Sequence, residues 1–208
     1  CVFSFHPVKI ITTAEGGLAT TNNKELAKIM ELSKSHGITK NPREFVNNDY
    51  SPWIYEQQSL GFNYRMNEIQ ATLGISQLKR LDQIVLERNI LFKNYQKMIN
   101  NLPVKFLKIP ENVQSSIHLA VILFTNFSKS EHKEIFNYLR ESGIGVQIHY
   151  TPIYNQPFFR KMGFKKGYCP NAEKYANSAL SIPLFPGLKK DEQIYIIEKI
   201  SKFLNHLK

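Results

Sequence analysis

Residues 4–17 read SFHPVKIITTAEGG, and the rest of the chain is read outward from this stretch. VFSF at 2–5 and VKIITT at 8–13 carry the aromatic and β-branched residues that fit a pleated, half-buried strand, AEGG turns the chain, and Leu18 to Thr21 returns. The pattern predicts a hairpin centred on Gly16 and Gly17. Asn23 then caps a helix in which Leu26, Ile29, Met30 and Leu32 recur at near-helical spacing until His36-Gly37 stops it. Residues 38–60 lack periodicity and form a long loop, a feature that compact domains keep for function or mobility. After Asn67, the apolar residues Ile69, Leu73, Ile75, Leu78, Leu81, Ile84, Val85, Ile90, Leu91 and Tyr95 mark a stripe of about 35 residues, which means two helices or one bent helix. Asn100-Asn101 and Pro103 end it. The remainder alternates: strand at Ala120 to Phe124, helix at Ser130 to Glu141, strand at Val146 to Tyr150, then helical Ala172 to Leu180 and Glu192 to Leu207, with Ser142-Gly143 and Gly145 as punctuation. A boundary near residue 102 separates 1–102, a helix-rich piece of a larger domain, from 103–208, a smaller α+β domain.

The chain has 208 residues, 42% hydrophobic and 21% charged, which excludes disordered and collagen-like classes. Its two cysteines, Cys1 and Cys169, supply neither a disulfide framework nor a paired metal-ligand cluster, so a reducing, cytoplasmic setting is expected and no metal site. The apolar run Leu119 to Phe124 is far short of the roughly 20 residues that span a bilayer, so no membrane partner is expected. The chain opens on Cys1 in an apolar strand-like run and reads as a fragment of a longer protein; the residues given hold no basic n-region followed by an apolar h-region, so they do not indicate secretion. The net charge of +10 is spread over helix-like segments (Lys24, Lys28, Lys34; Lys79, Arg80, Arg88; Lys199, Lys202, Lys208) with glutamates interleaved. Nucleic acid requires a concentrated basic face or a recognisable binding motif and finds neither here. An anionic metabolite needs only two or three of these charges.

From the residues alone, each candidate for chemistry has two readings. Lys9 is either an edge-strand charge reaching solvent or a desolvated amine able to attack an aldehyde, with Ser4 and His6 near it. Asn63, in GFNYR at 61–65, either turns the chain before the next helix or donates its amide to a ligand. Arg65 either binds a phosphate or pairs with a surface carboxylate. His149 and Tyr150, in QIHYTPIY, end a predicted strand; the imidazole is either a satisfied core group or a ligand contact, and the phenol is suited to a sugar hydroxyl. Glu15 and His118 read as turn and strand packing.

Taken in order, SFHPVKIITTAEGG, LGFNYRMNEIQATLGISQLKRLD at 60–82, GIGVQIHYTPIY at 143–154 and LSIPLFPGL at 180–188 resemble the DegT/DnrJ/EryC1/StrS family of pyridoxal-phosphate-dependent nucleotide-sugar aminotransferases. The likeness covers the whole chain. Within the family it points to the UDP-4-keto-6-deoxy-sugar aminotransferases of pseudaminic acid biosynthesis and their lipid A aminoarabinose relatives. The resemblance implies an α/β fold of the aspartate-aminotransferase type (PLP fold type I), of which this chain is the C-terminal part of the large domain plus the small C-terminal domain. It implies that Lys9 is the catalytic lysine that binds pyridoxal phosphate (PLP) covalently and then carries the proton in transamination, a position where dehydratases of the family have histidine. Ser4 matches the phosphate-binding serine. Asn63 matches an asparagine that reaches the cofactor phosphate of the neighbouring subunit, which makes the protein a homodimer with shared sites. His149 and Tyr150 match a pair beside the sugar nucleotide.

The implied reaction moves an amino group, from a donor such as glutamate, onto a 4-keto-6-deoxy nucleotide sugar for surface-glycan synthesis. The family's acidic partner for the pyridine nitrogen, its stacking ring and its backbone phosphate donors lie before the lysine, so this chain by itself is expected to bind PLP weakly and to be inactive. The loop at 45–60 is longer than the spacing expected between these blocks. Alternatives are a non-catalytic or regulatory homologue, or a structural fragment that binds no cofactor.

Overall fold

The structure, a computed structural model, describes residues 1–207. They group into two compact units, Cys1–Leu81 and the remainder from Asp82 onward. The sequence reading drew its line at residue 102 instead. Contacts place the helix before that line with the second unit, because Phe92, Tyr95 and Ile99 are buried in that unit's core.

In the first unit, β1 (Val2–Ser4) and β2 (Gly17–Ala19) pair antiparallel, with Ser4 opposite Gly17 and Val2 opposite Ala19. The strand expected at 8–13 does not form. Pro7 brings no N–H, and the threonine hydroxyls bond nearby backbone instead of leaving it to a ladder: Thr12 Oγ1 donates to the Phe5 carbonyl at 2.9 Å and Thr13 Oγ1 to that of Glu15 at 2.7 Å. Residues 6–15 are therefore a loop at the tip of a short hairpin. Helix α1 (Lys24–Lys34) starts where Asn23 accepts from the Leu26 N–H at 3.0 Å. Two-residue strands β3 (Ile38–Thr39) and β4 (Glu56–Gln57) pair across the long loop. The long apolar stripe resolves into two helices, α2 (Glu68–Leu78), opened by a reciprocal Asn67–Gln70 capping box, and α3 (Leu81–Met98).

The second unit is built on a three-stranded antiparallel sheet of β5 (Lys105–Phe106), β6 (Ala120–Leu123) and β7 (Ala179–Ile182), with β6 in the centre. Beside it lie α4 (Lys129–Glu141), α5 (Pro157–Lys161), α6 (Pro170–Ala176) and α7 (Lys190–His206). Ile122, Phe124, Ile135, Leu139, Leu180 and Ile200 are fully buried together with Tyr95. The sequence reading continued a helix through Leu180; in fact α6 stops at Ala176, and all four residues of β7 are buried. A short run buried on both faces has no period by which to tell strand from helix. The expected strand at Val146 to Tyr150 shrinks to one bridge, Gln147 against Ser181. Among the described residues no helix is long and apolar enough to cross a membrane.

A buried cation on α3 anchors the approach to β6. Arg88 is 7% exposed, and it donates from Nε to the Ile117 carbonyl at 2.8 Å and from Nη2 to that of His118 at 2.5 Å. Burial lowers its pKa from the ordinary guanidinium value, which still leaves it charged. Ile117 has φ of 47°, a conformation that β-branched residues rarely adopt, and the fork of Arg88 bonds the carbonyl at this position. We expect Arg88→Met to lower stability by about 2–3 kcal/mol, since two carbonyls lose charged donors. Arg88→Lys should recover only part of it, a single ammonium being unable to reproduce the fork. Urea unfolding midpoints of the three proteins check this; equal midpoints would show that the fork is dispensable.

Candidate active site

Lys9 lies in the loop at the tip of the β1–β2 hairpin, partly exposed. Its N–H donates to the His6 carbonyl at 2.9 Å, so His6 and Lys9 are the two ends of one tight turn. The loop is closed at its base by Phe5 N–H on the Gly16 carbonyl (2.9 Å) and Thr13 N–H on the Phe5 carbonyl (3.0 Å). Thr13 is 2% exposed and acts as a plug. A Cβ on Gly16, whose φ is 154°, would stand 2.3 Å from its hydroxyl, and one on Gly74 of α2 would stand 2.8 Å from its methyl. Only hydrogen fits at both positions. Gln70 of α2 adds a bond from Nε2 to the Glu15 carbonyl at 3.0 Å. Ser4 ends β1, exposed, opposite Gly17.

Asn63 is carried by an extended segment running along the end of α1. Phe62 N–H donates to the Ser33 carbonyl at 2.6 Å, His36 N–H to that of Phe62 at 2.8 Å, and Tyr64 N–H to that of Lys34 at 2.9 Å. Phe62 and Tyr64 stack with ring centroids 4.8 Å apart, so they share a face and Asn63, exposed, takes the opposite one. A groove of about 1010 Å³ is lined on this unit by Leu18, Met30, Phe62, Tyr64, Arg65 and others. Ser4, Lys9 and Asn63 are not among its walls.

The long loop between these blocks is organised by two carboxylates. Glu56 is 9% exposed and accepts four hydrogen bonds: Val46 N–H (2.7 Å) and Gln58 Nε2 (2.9 Å) on Oε2, Asn47 N–H and Asn47 Nδ2 (both 2.8 Å) on Oε1. The Val46 N–H foremost, then the Asn47 and Gln58 donors, hold its pKa below the ordinary glutamate value against the opposing effect of burial. Glu44 does the same at the start of the loop, its pKa lowered first by the Thr39 hydroxyl at 2.8 Å and next by Lys28 Nζ at 3.1 Å.

His149 and Tyr150 belong to the second unit. His149 is partly buried, its Nδ1 lies 2.8 Å from Ser181 Oγ, and the edge of one ring meets the face of the other in the His149–Tyr150 pair at 4.6 Å. Tyr150 is 70% exposed. The five residues singled out from the sequence thus divide: Ser4, Lys9 and Asn63 on the first unit, His149 and Tyr150 on the second. Sequence reasoning missed Glu56 and Ser181. Half of the donors to Glu56 are backbone amides, and Ser181 is far along the chain from its histidine, so neither belongs to a spacing motif. Tested against PLP, which the resemblance implies, the first-unit residues fit its two reactive ends: a lysine amine on a braced loop for the aldehyde, and exposed neutral donors at Ser4 and Asn63 for the phosphate.

The sequence model of the DegT/DnrJ/EryC1/StrS aminotransferase family matches residues 1–201. A UDP-4-amino-4,6-dideoxy-N-acetyl-beta-L-altrosamine transaminase of Campylobacter jejuni is 37% identical over 210 residues, covering 97% of this chain and 53% of that protein. Among solved structures, PseC of Helicobacter pylori, an aminotransferase involved in the biosynthesis of pseudoaminic acid, superposes with a TM-score of 0.87 at 32% identity, over 99% of this chain and 53% of its own. Spr1654 from Streptococcus pneumoniae, described as a sugar aminotransferase and solved in its PLP-form, gives 0.87 at 27% identity over 100% of this chain and 52% of its own. The chain spans about half the length of the curated relatives it matches. It has their α/β fold, that of the aspartate-aminotransferase type, as the resemblance implied.

The Glu56 brace has a consequence for pH. A carboxylate whose folded pKa is depressed stabilises the loop above the ordinary glutamate range, about 4.3, and that stabilisation is lost as pH falls through the depressed value. Trp53, the chain's one tryptophan, is 76% exposed in this loop and reports on it. We expect its fluorescence anisotropy to be high at neutral pH and to fall on acidification below pH about 4. In Glu56→Gln, where an amide NH₂ faces donors that need an acceptor, it should already be low at neutral pH. Anisotropy in Glu56→Gln matching the wild type at every pH would contradict the brace.

Proposed function

Because the chain belongs to the DegT/DnrJ/EryC1/StrS aminotransferase family, we propose that it is the lysine-bearing part of a PLP-dependent aminotransferase. The enzyme transfers an amino group from glutamate to a 4-keto-6-deoxy nucleotide sugar in surface-glycan synthesis, and works in the cytoplasm as a homodimer. The observation that carries this reading is the setting of Lys9. Its loop is closed at Phe5, Thr13 and Gly16 and plugged by the buried Thr13, which gives the amine a fixed base from which to reach an electrophile. The altrosamine transaminase and PseC, whose names state sugar amination and pseudoaminic acid biosynthesis, support the substrate class.

PLP, when bound, supplies the electron sink that makes the carbon bearing the nitrogen acidic. The chain's own residues do the rest. Lys9 would hold the cofactor through its amine, and the same amine, when neutral, would take the proton from the amine-bearing carbon of the substrate and return it during transfer. The Ser4 hydroxyl and the Asn63 amide donate to the phosphate without adding cations beside Lys9. Asn63 does so in the partner subunit's site. His149 and Tyr150 orient the sugar nucleotide.

Two tests follow in the whole protein. Borohydride reduction in the presence of PLP, followed by peptide mapping, should place the label on the peptide containing Lys9. Lys9→Ala should lose activity by about a thousandfold or more, within the range a positioned acid–base group contributes. Label on another lysine would refute the assignment. For the shared site, Lys9→Ala mixed with Asn63→Ala should form heterodimers in which one site carries both lesions and the other carries neither. Activity should then rise on subunit exchange toward about a quarter of the wild type, the yield of one intact site in statistical heterodimers. With exchange confirmed and Asn63→Ala alone impaired, no recovery would mean that Asn63 acts within its own chain.

A further inference from the structure

Ser181 sits on β7 with both of its backbone groups engaged by Gln147: its N–H donates to the Gln147 carbonyl at 2.8 Å and its carbonyl accepts the Gln147 N–H at 3.2 Å. On the other side Val121 of β6 is its register partner. The side chain is 6% exposed, and among the described residues its hydroxyl has one hydrogen-bond partner, Nδ1 of His149 at 2.8 Å. We propose that Ser181 is a positioning residue that fixes His149 in the tautomer carrying its proton on Nε2, so that the imidazole meets an oxygen of the nucleotide sugar as a neutral hydrogen-bond donor. The proposal rests on the reading of His149 as a substrate contact given above.

The argument is one of donor bookkeeping. A serine hydroxyl has one proton to give and lone pairs to accept with. If His149 donated from Nδ1 to Ser181, the serine proton would be left buried with no acceptor, the costly arrangement for a polar group out of water. If Ser181 donates, its proton is satisfied, Nδ1 must be bare, and the ring proton resides on Nε2. The two-point bridge between Ser181 and Gln147 sets the backbone from which His149 rises two residues later, and the edge-to-face contact with Tyr150 at 4.6 Å restrains the ring plane. A nucleotide sugar offers phosphate and carbonyl oxygens, which only accept, and hydroxyls, which accept or donate. A bare Nε2 would repel the phosphate and carbonyl oxygens, whereas an Nε2–H binds any of the three, and a hydroxyl on β7 makes that choice before the substrate arrives.

The test is a long-range ¹H–¹⁵N correlation on the chain labelled at its histidines, at mildly alkaline pH so that the imidazoles are neutral. The wild type should show His149 with a pyrrole-like Nε2 and a pyridine-like Nδ1. Ser181→Ala should shift it toward a mixture of tautomers, and Ser181→Thr, which keeps the hydroxyl, should restore the wild-type pattern. In the whole enzyme, Ser181→Ala and His149→Gln should each raise KM for the nucleotide sugar, Ser181→Ala by about tenfold, with KM for the amino donor unchanged. A wild-type proton on Nδ1, or an unaltered tautomer in Ser181→Ala, overturns the inference and leaves the proposed function standing. The expected tautomer with nucleotide-sugar KM unchanged in both variants overturns it from the other side, by showing that His149 does not face the substrate. Borohydride labelling of a lysine other than Lys9 bears on the proposed function and leaves the tautomer result intact.

Discussion

Backbone packed directly on backbone is the constraint on which the first unit depends. A Cβ on Gly37, whose φ is 68°, would fall 1.8 Å from the Ser59 carbonyl oxygen, and one on Gly61 would fall 2.2 Å from the Gly37 nitrogen. No side chain larger than hydrogen satisfies both contacts. Because the two glycines touch, residues 62–64 lie close enough to the end of α1 to pair with residues 33–36, and the alternation of that extended segment then decides that Phe62 and Tyr64 share one face and Asn63 faces away. The loop between Gly37 and Gly61 has its ends pinned together. What remains is to order its interior, which Glu44 and Glu56 do with hydrogen bonds in place of a core.

The second unit solves its problem by burial. Its sheet has only three short strands, yet β6 and β7 are almost wholly buried, and the register between them runs from Ala120 opposite Ile182 to Leu123 opposite Ala179. That register sets Ser181 beside Val121, the Gln147 bridge then sets the position of the following residues, and His149 takes its place from a chain of contacts starting in the hydrophobic core. Two polar side chains inside this core are matched to carbonyls: Gln193, fully buried, donates to that of Leu91 at 2.9 Å, and the Tyr95 hydroxyl donates to that of Pro183 at 2.9 Å. Pro183 directly follows β7. The same residues that make the core unique thus hold the edge of the sheet from which the imidazole is aimed.

What could be read from the chain follows from how local each signal is. The caps at Asn23, Asn67 and Ser128 are local chemistry, satisfied within three residues, and the helices they open begin where the sequence placed or implied them. The two-helix stripe is equally local. VKIITT was misread because β-propensity expresses fit to a neighbouring strand, and at the tip of the hairpin there is none. Ala179 and Leu180 were misread as helix for the opposite reason: burial on both faces erases the alternation that marks a strand. Lys9, Ser4, Asn63, His149 and Tyr150 were singled out through resemblance to a family and not through their own spacing. Glu56 left no trace in sequence, since half of its donors are backbone amides, which every residue but proline has.

The charge of the chain and the proposed site work at different ranges. The +10 net charge is distributed over helices, and at physiological salt such charge acts over a screening length of about 8 Å, enough to favour the approach of a diphosphate but not to orient it. Between Cys1 and Asn23, Lys9 is the one lysine or arginine and Glu15 the one carboxylate side chain. Beside Lys9, selection at the cofactor site proposed on the first unit falls to directed neutral donors, the hydroxyl of Ser4 and the amide of Asn63. A ring of cations would bind phosphate more strongly, but it would hold product as firmly as substrate and would repel the protonated form of an arriving amino donor. Neutral donors are worth less individually. They discriminate by geometry instead, which is why the braces behind them, the glycine contact at 37 and 61 and the Thr13 plug, matter as much as the donors themselves.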